Sequence, residues 1–177
     1  MKKAILPLII LILVSTAFAQ NWFKGTFDQA LVQAKNEGKK VLIDFFSSGW
    51  GSCVLLGQQF FANQKYQEFL NSNFILFFAD IAEKTGNEIF KRFKISGTPT
   101  VLIVDADGSE IDWHIGYGPP PDKYLERLEK TLKGIDTFKV LSERYGKEPK
   151  NIEVGFKLAK KYQDRANQEK ALELYKE

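Results

Sequence analysis

The chain of 177 residues carries 25 Lys and Arg against 22 Asp and Glu, with one cysteine and one histidine. So even a balance gives no electrostatic reason to expect nucleic acid or an acidic substrate, and a single cysteine excludes a disulfide closed within the chain. Folding therefore rests on core burial, and the length suffices for one domain and a short appendage.

The opening "MKKAILPLIILILVSTAFAQ" has a basic start at Lys2 and Lys3, an apolar run over residues 5–14, and the small-x-small pattern Ala17-Phe18-Ala19. This grammar predicts a secretory signal peptide over residues 1–19, cleaved after Ala19, and hence export to the periplasm or the medium. The competing reading is an uncleaved membrane anchor, but the run is shorter than the roughly 20 apolar residues of a usual span. No later segment is apolar enough to cross a membrane, so no stable span is expected after cleavage. Loss of Lys2 and Lys3 leaves 23 basic against 22 acidic side chains.

"TFDQALVQAKNEG" predicts a helix. Thr26 and Gln29 form a capping box, Phe27, Ala30, Leu31 and Ala34 share a face, and Gly38 ends it. "KVLIDFF" predicts a buried strand. The helical stretch after it is expected to break near Ala62-Asn63, with Asn63 capping a second segment. "FILFFAD" predicts another strand, and "TGNEIFKRF" a helix capped by Thr85 with Glu88. "TPTVLIVDADGSEIDWHIGYG" predicts a hairpin turning at Asp107-Gly108. "PDKYLERLEKTLKG" predicts an amphipathic helix stopped by Gly134. Alternation of helices and strands followed by a hairpin specifies an α/β fold, a mixed sheet flanked by helices.

From residue 135 no strand signal remains, and the residues over 135–177 predict an all-α extension of one short helix and a helical pair. Leu158, Ala159, Tyr162, Ala171 and Tyr175 stand at the spacings of a partial tetratricopeptide-like repeat. A generic amphipathic hairpin is the alternative. One such repeat cannot bury its own apolar face, so the chain is expected either to continue beyond Glu177 or to pack this tail on the preceding domain. Lys157, Lys160 and Lys161 predict a solvated basic face.

Residues 22–133 resemble the thioredoxin family. The resemblance rests on "FDQALVQAKNEGKKVLIDFF", on "SSGWGSC" at the place of the redox loop, on "FKISGTPTVLIVDADG" at the segment carrying the cis-proline, and on "IGY" at the late glycine. It implies a thioredoxin-like domain over residues 20–134. Counted from Asp44, the family's first loop cysteine falls on Trp50 and its second on Cys53, so the pair is degenerate. A one-residue slip would leave neither cysteine in place.

Dithiol exchange needs one thiolate to attack and a second to resolve the mixed disulfide, and tryptophan supplies no such nucleophile. Two readings of Cys53 stand: an inert core thiol, or a lone thiolate favoured by the first turn of a helix. Asp44 lies within an apolar strand. The resemblance implies a buried acid relaying protons to the second cysteine, with a raised pKa; a surface acid at the strand end is the alternative. The resemblance also implies that Pro99 is cis and that Thr98 hydrogen-bonds an extended client chain by edge pairing, against a trans-proline at a strand start. Trp50 offers either an exposed platform for an apolar client segment or a plug over the former site.

His114 alternates with Trp113 and Ile115, which predicts the wetter strand face. No second ligand accompanies it and no Gly-rich phosphate loop exists, so neither metal nor cofactor is expected. These readings converge on an exported thioredoxin-fold protein without dithiol chemistry, binding extended peptide or protein clients near Trp50, Thr98 and Pro99, with a further protein partner on the helical tail. The alternative is an enzyme, a monothiol thiol-disulfide oxidoreductase or isomerase using Cys53.

Overall fold

A computed structural model describes residues 21–176, so the signal sequence expected over residues 1–19 lies outside the described residues. In chain order the elements are α1 (Phe27–Glu37), β1 (Lys40–Phe46), α2 (Gly51–Leu56), a π-helical turn (Gly57–Phe61), α3 (Gln64–Asn73), β2 (Phe74–Asp80) and α4 (Lys84–Arg92). Then come β3 (Thr100–Val104), β4 (Glu110–Ile115), α5 (Pro121–Leu132), α6 (Phe138–Lys147), α7 (Ile152–Asp164) and α8 (Gln168–Lys176). The four strands form one mixed sheet in the order β2-β1-β3-β4, with β1 parallel to β2 and antiparallel to β3, and β3 antiparallel to β4. The α/β class read from the sequence holds.

Local grammar explains most of the boundaries. The Gln29 N–H donates to Thr26 Oγ1 at 3.2 Å while the Thr26 N–H donates to Gln29 Oε1 at 2.9 Å. The box thereby satisfies two of the amides that a helix start leaves open. Gly38 ends α1 at φ 65°, a left-handed conformation that costs glycine little. Asn63 caps α3 by accepting from the Lys65 N–H at 3.0 Å.

The start of α4 departs from expectation. Its N-cap is Glu83, and Thr85 sits inside the first turn without capping it. Asp80 sets this register: its side chain accepts from the Ala82 N–H and its carbonyl from the Glu83 N–H, closing a turn before Thr85 is reached. The helix then presses so close to β2 that a Cβ on Gly86 would lie 2.0 Å from the Asp80 carbonyl oxygen.

Period-two alternation sorts β1 between two cores. Val41, Ile43 and Phe45 pack with Phe27, Ala30 and Ala34 of α1 and Ile89 of α4. Leu42 packs on the other side with Leu56, Phe60, Phe61, Leu70, Tyr124 and Leu128 from the helices that cover that face. Central β1 is therefore apolar at almost every position, as a strand covered on both faces must be.

Both sheet edges are covered. The Phe23 N–H donates to the Leu76 carbonyl at 2.7 Å beside β2. Beside β4, the Phe138 N–H reaches Asp112 Oδ1 and Lys161 Nζ meets Asp112 Oδ2 at 2.5 Å. Arg165 lies with its guanidinium 4.0 Å from the Phe138 ring centroid and 4.6 Å from that of Trp113, paired with Glu110. The tail thus packs on the sheet domain. Lys161 is one of the ties, and Lys157 pairs with Asp136 and Glu153, so the basic face expected to be merely solvated is largely engaged. Leu141, Val154 and Leu158 form a small core of its own within the tail.

Candidate functional site

Register brings the candidate residues to one end of the sheet. Phe45 stands opposite Thr100, and Thr100 opposite Ile115. The loop leaving β1, the Thr98-Pro99 segment entering β3 and Gly116 after β4 therefore lie side by side. The Pro99 carbonyl accepts from the Gly116 N–H at 2.9 Å, which ties the second and third together.

The loop from β1 turns tightly: the Trp50 N–H donates to the Ser47 carbonyl at 3.2 Å. Trp50 is the N-cap of α2 in an extended conformation, and its carbonyl accepts from the Cys53 N–H at 3.0 Å. These two residues point to different surroundings. The Trp50 side chain is 61% exposed and Cys53 only 2%. Val54 and Leu55 beside it on α2 are exposed as well, while Leu56 dives into the core. The π-helical turn then adds one residue to the helical repeat and buries both Phe60 and Phe61.

Thr98-Pro99 is a cis peptide bond. Thr100 Oγ1 donates to the Gly97 carbonyl at 2.8 Å, closing the loop on itself. Thr98 is half-buried, and its backbone N–H and carbonyl meet no partner among the described residues.

Asp44 lies one register step deeper, between Phe78 of β2 and Val101 of β3. It is 2% exposed and its Oδ1 has no hydrogen-bond partner. Removal from water disfavours the carboxylate, and burial alone pushes its pKa from 3.8 to about 7. Asp44 is thus a carboxyl that exchanges a proton near neutrality.

His114 is not on a wet face. It is buried on β4, and its Nε2 lies 2.8 Å from Thr131 Oγ1 of α5. The strand is an edge of the sheet, yet α5 packs on it and the tail helices α6 and α7 close around it, so alternation gives no exposed position there before Ile115. Burial, with Arg127 and Lys161 nearby, holds the imidazole well below its usual pKa and hence neutral. Tyr124 of α5, absent from the sequence reading, packs against His114 and Phe60. A tyrosine at a core-facing helix position carries no sequence signal that separates it from packing. No group of three metal-ligating side chains is gathered among the described residues, and none of the helices described is long and apolar enough to cross a membrane.

Comparison with known proteins agrees with this geometry. Residues 27–132 match the family described as thioredoxin-like domain. Over 85 residues the chain is 31% identical to the thiol:disulfide interchange protein DsbD of Salmonella typhi, an alignment covering 47% of this chain and 14% of that protein. It is 26% identical over 129 residues to DsbD of Photorhabdus laumondii, covering 60% of this chain and 22% of that protein. The chain thus matches only a small part of these relatives' length. Among solved structures it is similar to the DsbH oxidoreductase, with a TM-score of 0.57 and 17% identity over 65% of this chain and 87% of that one. A thioredoxin from Thermus thermophilus gives 0.54 and 21% over 63% and 88%. At such identities these two likenesses speak for the fold alone, which is the thioredoxin fold.

Proposed function

The chain belongs to the family of thioredoxin-like domains, and on that premise we propose that it binds extended peptide or protein clients beside Trp50, Thr98 and Pro99 without running a dithiol cycle. The observation that carries this reading is the inversion of exposure across the loop. Where two cysteines would exchange electrons, the outer position is an open indole and the sole cysteine of the chain is buried. A buried thiol cannot attack a client disulfide in line, and without a neighbouring cysteine no mixed disulfide is resolved within the chain. An exposed indole gives a broad apolar contact at small entropic cost. Thr98 offers a free backbone donor and acceptor beside it, the pairing that an extended chain requires.

On this reading the motif is a degenerate CxxC, and Asp44 keeps the acid-base character of a site whose partner sulfur is withdrawn. Export, inferred from Lys2, Lys3, the apolar run and Ala17-Phe18-Ala19, would bring the domain to extracytoplasmic clients. The tail over residues 135–177, read as a partial tetratricopeptide-like repeat, adds a second protein-binding face. Support comes from a groove of about 550 Å³ flanked by Ile152, Phe156 and Tyr175.

Two measurements test the reading together. Alkylation of native protein at pH 7 should run at least about a hundredfold slower than in urea, since the thiol must first be uncovered. Affinity for extended apolar peptides should fall about tenfold or more in Trp50→Ala, as for an aromatic anchor. Rapid native labelling, with insulin reduction abolished by Cys53→Ser, would establish the monothiol enzyme instead.

A further inference from the structure

Three buried polar atoms on the α5 side of the sheet lack partners: Asp44 Oδ1, Tyr124 Oη and His114 Nδ1. Their residues are 2%, 2% and 4% exposed. Such an atom is strongly destabilising if nothing meets it, and native interiors rarely leave several together.

The three residues lie on one face of the sheet. Register runs Asp44 to Val101 to His114 straight across β1, β3 and β4. Residues in line across strands share a face, so the carboxyl and the imidazole stand on the same side, roughly 10 Å apart at two strand spacings. Tyr124 reaches this face from α5. Its ring centroid lies 5.8 Å from that of His114 with the planes at 82°, and its phenol feels the charge of Asp44.

Their hydrogen-bonding needs are complementary. Thr131 Oγ1 donates to the Arg127 carbonyl at 3.1 Å, which uses its only proton. It must therefore accept from His114 Nε2–H at 2.8 Å. That fixes the tautomer: Nδ1 carries the lone pair and wants a donor. Tyr124 Oη can donate once and accept, and Asp44 accepts when ionised and donates when protonated. A water molecule satisfies such a set, because internal waters make about three hydrogen bonds to buried polar groups.

We propose that Asp44, Tyr124 and His114 hold at least one internal water, which with the Tyr124 hydroxyl joins them into a single hydrogen-bonded chain running on through Thr131 to the Arg127 carbonyl. Tyr124 is its positioning residue. The charged or titratable groups around it are Arg127 on α5, Lys161 on α7 and Tyr117 after β4. Tyr66 of α3 is engaged with Asp122, and α2 contributes only Cys53. The chain stands independently of whether Cys53 meets disulfides.

The purified protein allows a direct test, since its single histidine gives one unambiguous imidazole spectrum. A crystal structure at about 1.5 Å resolution should show an ordered water touching at least two of the three atoms. Imidazole nitrogen spectra should show the Nε2–H tautomer with Nδ1 accepting a hydrogen bond, and Thr131→Val should shift the population towards Nδ1–H. In Tyr124→Phe the Asp44 titration, followed by carboxyl carbon NMR, should move upward by about one pH unit, because a donor to the carboxylate is lost. An Nδ1–H tautomer in the wild type, or no water density at the three atoms, overturns the proposal. So does an Asp44 titration unmoved in folded Tyr124→Phe. Should that variant fail to fold, the wild-type crystal and histidine spectra decide alone.

Discussion

Replacing Asp44 by Asn should change the pH dependence of stability in a definite direction. Burial raises the native pKa of Asp44 to about 7 from 3.8. Below pH 3.8 the carboxyl is protonated in both states and costs nothing. As pH rises from 3.8 to 7, the unfolded chain releases the proton and the native protein does not, so the group's contribution to stability is progressively lost; above pH 7 the loss levels off. A gap of about three pH units at 1.36 kcal/mol each amounts to about 4 kcal/mol, of which about 2.5 kcal/mol falls between pH 5 and pH 8. Asn keeps the shape and a polar head but carries no such proton. Urea unfolding of both proteins at pH 5, 6, 7 and 8 measures the effect. The stability of Asp44→Asn minus that of wild type should rise by about 2.5 kcal/mol over this range, whatever its value at pH 5. The ion-paired carboxyls of Asp105 and Asp122 titrate in both proteins and cancel. A difference flat within about 0.5 kcal/mol would mean that the native carboxyl ionises as readily as the unfolded one, and the argument from burial would fail.

Arg165→Ala should destabilise the protein by about 3 kcal/mol in urea unfolding. It leaves Glu110 and Asp112 short of a cation and uncovers Trp113 and Phe138. Amide exchange in α6 and α7 should accelerate with it, and unchanged exchange would mean that the tail is held elsewhere. Gly86→Ala should cost more than about 2 kcal/mol, because the new methyl meets a backbone carbonyl that cannot move aside. Gly146→Ala on α6, where a Cβ would meet nothing within 4 Å, should instead gain about 0.5 kcal/mol.

The elements readable from sequence were those whose signal is local. The Thr26 box, the glycine after α1, the break at Asn63 and the Asp107-Gly108 turn each depend on residues a few positions apart, and each stands where its chemistry put it. What failed depended on packing between distant segments. Thr85 lost its capping role to a turn organised by Asp80, because α4 is drawn against β2 at Gly86. His114 read as wet because alternation says which residues share a face, not what covers that face. Its cover is α5, and the tail residues Phe138, Lys161 and Arg165 close around β4 as well. At the site, the sequence placed Trp50, Cys53, Asp44, Thr98 and Pro99 within one stretch of argument. The contrast between an open indole and a sealed thiol needed the direction of α2 on the sheet.

The misread histidine carries a last consequence. A histidine held neutral by burial has a native pKa well below 6.5. Its contribution is fully present above pH 6.5 and is lost as pH falls below, since only the unfolded chain takes up the proton there. Asp44 runs the other way over the same range, regaining stability as pH falls from 7 towards 3.8. Between pH 3.8 and 6.5 the two contributions therefore run in opposite directions and offset one another in part. Each single variant should unmask the other group. Measured against wild type in the same buffers, Asp44→Asn should lose stability on acidification from pH 6.5 to 4.5, and His114→Gln should gain it. The double variant should lack both contributions. A His114→Gln curve parallel to wild type would mean that the native imidazole takes up its proton as readily as that of the unfolded chain, and the argument from its burial beneath α5 would fail.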